Sequence, residues 1–106
     1  MLNQVVLVGR LTKDAEVKEV EEGKKVAHIT LAVQRSIKNV DGEYDTDFIG
    51  CTVWNGIANS VSEYCHKGDI IGVKGRLQMT MIEDKYGVEV VAEKVTFLSS
   101  RKPEEE

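Results

Sequence analysis

An all-β chain with a single helix, its strands closed into a small barrel, is the fold class this sequence of 106 residues predicts. Three observations carry it. Residues 26–35 alternate between two faces, helical spacing occurs only over residues 57–65, and Gly9, Gly72 and Gly75 interrupt runs rich in β-branched residues. Glycine inside a strand marks a bend or the close approach of another backbone. The length suits one core, so residues 1–100 are expected to form one domain and residues 101–106 a short, solvated acidic tail.

The first strand is QVVLVGRL, residues 4–11, with Gly9 inside it. Residues 12–25 hold five acids with Val17, Val20 and Gly23, which fits a short irregular strand and a turn. The second strand follows at 26–35, with Ala27, Ile29, Leu31 and Val33 on its core face. Asp41-Gly42 is a hairpin signal, so the chain should return antiparallel through TDFIGCTVWN, residues 46–55. Asn55 is expected to cap a helix of about three turns, whose apolar stripe is Ile57, Ala58, Val61, Tyr64 and Cys65. Gly68 should end it, with His66 and Lys67 near the negative end of its dipole. The fourth strand, 70–81, and the fifth, 88–98, form a second hairpin whose expected turn is Lys85-Tyr86-Gly87.

Three strands, a helix and two strands is the order of the OB-fold, a five-stranded Greek-key barrel; the two long hairpins join strands two and three and strands four and five. Tyr64 and Phe97 are expected in its core. The inventory argues against an enzyme, for no phosphate loop, metalloprotease helix or nucleophile–base pair is present. No cofactor or metal is expected, since Cys51 and Cys65 are too few for a ligand cluster or a disulfide framework. Neither a run of about 18 apolar residues nor a signal-peptide pattern occurs, so a cytoplasmic protein without a membrane partner is expected. Net charge of −4 weighs against nucleic acid, but residues 23–40 hold four cations and no acid.

Four ordered blocks resemble bacterial single-stranded DNA-binding proteins: LNQVVLVGRLTKDAE at 2–16, VAHITLAVQRS at 26–36, DFIGCTVWNGIANSVSEYCHKGDIIGVKGRLQ at 47–78 and VVAEKVTFL at 90–98. The resemblance implies an OB-fold, a homotetramer and sequence-nonspecific binding and protection of single-stranded DNA, in replication, recombination, repair or DNA uptake. It also implies a nucleoid-associated location. Such binding needs flat side chains for the bases and cations for the phosphates. Trp54 and Phe48 match stacking positions of the family, and period two puts both on one strand face. Tyr86 is a further stacking candidate, while Ile37 and Ile82 stand where relatives carry rings, and Gln78 and Thr80 where relatives carry cations. Weaker binding or a smaller site would follow.

Arg10, Arg35, Lys38, Lys67, Lys74 and Arg76 are the candidate phosphate contacts. Asn3, Val6 and Val8 of the first strand, together with an outward-facing Ile49, are the candidate oligomer interface. The family's acidic, aromatic recruitment tip has no counterpart in Glu104, Glu105 and Glu106, so recruitment of replication and repair proteins by that route is not expected. The rival reading is an OB-fold assembly scaffold whose main partner is protein and which binds DNA weakly.

Overall fold

A computed structural model describes residues 1–99. Six strands surround one core: β1 (Val5–Leu11), β2 (Lys18–Glu19), β3 (Lys25–Lys38), β4 (Tyr44–Trp54), β5 (Ile70–Ile82) and β6 (Lys85–Ser99). One helix, α1 (Asn55–Tyr64), joins β4 to β5, and a 3-10 turn at Glu21–Gly23 follows β2. The sheet runs β1-β5-β6-β4-β3-β2, and β1 also pairs with β3. That pairing closes five strands into the OB-fold barrel, with the two-residue β2 appended to β3.

Closure rests on few bonds. Arg10 and Leu11 of β1 lie opposite Ala32 and Leu31 of β3, and just beyond them the Thr12 backbone and hydroxyl both donate to the Thr30 carbonyl. On the other side, β4 and β6 meet in parallel at Cys51↔Val90 and Thr52↔Val91. Two glycines permit the necessary close approaches. A Cβ on Gly9 would stand 2.7 Å from the Ala32 carbonyl oxygen, and one on Gly75 would stand 2.1 Å from that of Val91. Gly75 sits at a register shift where β5 bends out of the barrel.

The core collects Leu11, Ala27, Ile29, Leu31, Cys51, Val53, Ile71, Val73, Val90 and Ala92 from the strands. From α1 come Ala58 and Val61, with Cys65 just past its end. Burying each large aliphatic chain stabilises by about 1.5–3 kcal/mol, which orients each strand by its alternation. The expected core face of β3 is observed at Ala27, Ile29 and Leu31, while Val33 packs at the margin. Burial pushes the Cys51 thiol up to about 11, so it stays protonated and inert at neutral pH.

Several local expectations are corrected. Trp54, not Asn55, occupies the N-cap position of α1 and supplies no side-chain cap. Asn55 adopts a φ of 50°, and its Oδ1 accepts from the Lys25 backbone N–H at 3.0 Å. It thereby ties the start of the helix to the start of β3. The helix stops at Tyr64, because Cys65 is already extended and a separate turn, closed by the Asp69 carboxylate on the His66 N–H, carries Gly68. Gly68 donates to the Leu11 carbonyl instead of ending the helix. Tyr64 and Phe97 are not core residues: they are 62% and 49% exposed and face each other with ring centroids 6.1 Å apart. Helical spacing marked Tyr64 as apolar-face, but the helix ends before its side chain can be covered.

Hairpin β3–β4 turns through residues 39–43, where the Asn39 side chain accepts from the Asp41 and Glu43 N–H groups and Gly42 takes positive φ. The Asp41-Gly42 signal is observed. Hairpin β5–β6 instead turns on Glu83 and Asp84, both at positive φ, two residues earlier than the expected start at Lys85; Lys85, Tyr86 and Gly87 belong to β6. The tail expected at 101–106 lies outside the described residues.

Candidate nucleic-acid interface

On β4, positions Phe48, Gly50, Thr52 and Trp54 lie on the face turned away from the core, opposite Ala32, Thr30, His28 and Val26 of β3. Phe48 is 70% exposed and Trp54 38%, so neither is an ordinary core ring. Six residues of strand separate them, about 20 Å. The floor between is open at Gly50, where an added Cβ would meet nothing within 4 Å. Trp54 borders a cleft formed with Val20, Glu21, Glu22, Lys24 and Asn55.

Beside Trp54 lies a polar cluster that no sequence pattern revealed. Thr52, only 3% exposed, donates its hydroxyl to Glu89 of β6, with Oγ1 2.8 and 3.1 Å from the two carboxylate oxygens. The Nδ1 of His28 lies 3.3 Å from the same Oγ1. Alternation alone put His28 on the outward face. Its connection to Glu89 depends on the parallel meeting of β4 and β6, which has no local signature.

The remaining stacking candidates lie toward the hairpin ends. Ile37 and Ile82 are exposed near the tips of the two hairpins. Tyr86 is exposed opposite Met81, in one row with Leu77, Met79 and Val88. This row continues the core-facing alternation of β5 beyond Gly75, so the hairpin carries an apolar strip outside the barrel.

The cations do not form one stripe. Arg10 lies in register with Ala32 and hence Phe48, and its Nη1 donates to the Gly68 carbonyl at 2.8 Å. Arg35 is bound bidentately by Asp47 at 2.9 and 3.0 Å, with Asp45 3.8 Å away. Asp47 alternates onto the face opposite Phe48, so this pair draws Arg35 away from the rings. The acid-free run of 23–40 is therefore acid-free in sequence only. Lys38 holds its ammonium 5.7 Å from the Tyr44 ring centroid. Arg76 contacts Gln78 at 2.7 Å and Glu93 at 3.7 Å. Lys74 stands opposite Val6 and Lys94, and the backbone of Lys67 donates to Asp14.

Of the oligomer candidates, Val6 and Val8 are exposed on β1. Asn3 is committed within the chain, its amide exchanging two 2.9 Å bonds with the Leu77 backbone. Ile49 is a correction: it is half-buried against the core, because period two turns position 49 inward once Phe48 faces out.

Among the described residues, no group of three or more His, Cys, Asp or Glu is placed to hold a metal, and no helix is long and apolar enough to cross a membrane. The model of the single-strand binding protein family matches residues 2–98. Single-stranded DNA-binding protein B of Bacillus subtilis is 46% identical over 95% of this chain and 94% of its own length. Single-stranded DNA-binding protein 1 of Clostridium acetobutylicum is 41% identical over 95% and 97%. The single-stranded DNA-binding protein of Halalkalibacterium halodurans is 46% identical, and the match covers 63% of that longer chain. With a matched family model across the barrel and relatives of this identity, the chain belongs to the single-strand binding protein family.

Proposed function

We propose that this protein binds and protects single-stranded DNA without sequence specificity and without catalysis. The observation that carries the reading is the pair of exposed rings, Phe48 and Trp54, on one open face of β4. Unpaired bases leave their own stack and restack on these rings, and Arg10, in the same cross-strand row as Phe48, is the nearest candidate for the backbone. Lys74, Arg76, Lys67 and Lys38 extend the phosphate path, with Ile37, Ile82 and Tyr86 giving apolar contact along the hairpins. Replication, recombination, repair and DNA uptake are the settings where such sequestration is needed.

We further propose a homotetramer. Residues 5–9 of β1 bond to β5 on one side, while β3 takes up the other side only at Arg10 and Leu11. That free edge and the exposed Val6 and Val8 are available to a second copy. Several barrels on one strand then supply affinity through multivalency. The protein-scaffold alternative is favoured by the apolar strip on β5–β6 and by the neutralisation of Arg35.

Alanine substitution separates the readings. Phe48→Ala and Trp54→Ala should each weaken oligo(dT) binding by about 1 to 3 kcal/mol, roughly fivefold to 150-fold. Unchanged affinity in both variants contradicts stacking on this face.

A further inference from the structure

Each exposed ring stands at one end of a row that crosses three strands and finishes on a cation. Phe48 lies opposite Ala32 of β3, and Ala32 opposite Arg10 of β1. Trp54 lies opposite Val26 of β3, and Val26 opposite Lys18 of β2. Directly opposed residues of an antiparallel pair share a face, so Lys18 is on the outward side of the sheet with both rings. Its neighbours agree: Val17 packs against the core, whereas Val20 is exposed and borders the Trp54 cleft. Ring and cation are two strand spacings apart in each row, about 10 Å, and the rows are about 20 Å apart. Both cations lie on the same side, because β1 and β2 pair with the edge of β3 that is turned away from β4. Lys18 is exposed, and among the described residues its side chain has no hydrogen bond or ion pair. Glu19 opposes Lys25 on the other face, and Glu21 and Glu22 border the cleft in the loop beyond the Trp54 row.

We propose that Lys18 binds the phosphate of the nucleotide whose base stacks on Trp54, as Arg10 does for the nucleotide on Phe48. Lys18 and Arg10 then form a backbone rail along the far edge of β3, and the bases reach across β3 to the rings of β4. A nucleotide suits this spacing: its sugar separates base from phosphate, and the flexible four-carbon stem of lysine closes the remaining distance. The strand runs along β3 from one row to the other. Beyond the Trp54 row the carboxylates of Glu21 and Glu22 repel a phosphate, so the rail ends at Lys18. Residues 12–25 thus contribute a cation to the site although acids outnumber cations in that segment, which is why composition hides it.

This inference rests on the single-strand reading above, and its test separates the two. Oligo(dT) of about ten nucleotides, short enough for one barrel, is titrated into the full chain at several salt concentrations. Lys18→Gln should weaken binding and flatten the log–log salt slope by about 0.7, the share of one phosphate contact. Lys18→Arg should keep the slope, and Lys25→Gln, on the opposite face, should leave it unchanged. Coupling reads the pairing with the ring: the losses in Lys18→Gln and Trp54→Ala should combine to less than their sum, whereas those in Lys18→Gln and Phe48→Ala should add. An unchanged slope in Lys18→Gln, or a loss that simply adds to that of Trp54→Ala, overturns the inference and leaves single-strand binding standing. Equal flattening by Lys25→Gln also overturns it, since Lys18 would then act only through the general charge of the chain. A folded wild-type protein that binds no oligo(dT) overturns both.

Discussion

In the free protein the Arg35 guanidinium is already occupied, two of its nitrogens on Asp47 and a third near Asp45. The hydrogen bond to Asp47 raises the arginine further, and the same bond holds the Asp47 carboxyl below the usual carboxylate range. A depressed carboxyl keeps its charge as pH falls below its ordinary value and loses the pair only on passing the lowered one, so the pair is intact at neutral pH. Asp47→Asn should release Arg35, tighten oligo(dT) binding and steepen its salt dependence by about 0.7 in log–log slope for one added phosphate contact. A titration at two salt concentrations reads this directly; an unchanged slope means that Arg35 never reaches the strand. Alternation places Phe48 and Trp54, six residues apart, on one face, while it is the family resemblance that singles them out as stacking rings. The same rule turns Ile49 inward, next to the outward-facing Phe48, so it packs against the core. The Arg35 pair was not legible, since its acids arrive across the hairpin from a different run of sequence.

Among the elements, β5 shows most plainly how one residue divides a strand between two jobs. Up to Val73 it lines the barrel; beyond the shift at Gly75 it leaves the barrel as half of a hairpin with Leu77, Met79 and Met81 uncovered. Gly75→Ala would press a methyl into the Val91 backbone, which cannot rotate aside. The expected loss is about 1 to 3 kcal/mol or more, read as a lowered melting midpoint, whereas Gly50→Ala in open space should lose much less. Equal losses at the two glycines would contradict the close approach. Strand interiors were legible from alternation and turn residues, and Gly75 was recognised as a point of curvature. Element ends were not. The last hairpin turns on Glu83 and Asp84, residues without the Asn-Gly or Asp-Gly signature, and the helix stops at Tyr64, one residue short of the Cys65 that helical spacing includes.

For the whole molecule, the order of three strands, helix and two strands pointed to the OB-fold, and the family resemblance decided it. The contacts that close it, β1 on β3 and the brief parallel meeting of β4 with β6, join residues far apart in the chain and leave no periodic trace. The His28–Thr52–Glu89 cluster is a product of that closure and was hidden for the same reason. Assembly belongs to this scale as well: sedimentation at micromolar concentration should give a tetramer, and a monomer would remove the role assigned to the β1 edge and to Val6 and Val8. Base stacking on the outward face of β4 is read out by the fluorescence of Trp54, the single tryptophan. Titration with oligo(dT) should quench it strongly, less so as salt rises, while duplex of equal length leaves it nearly unchanged. No quenching by oligo(dT) at low salt would contradict the account.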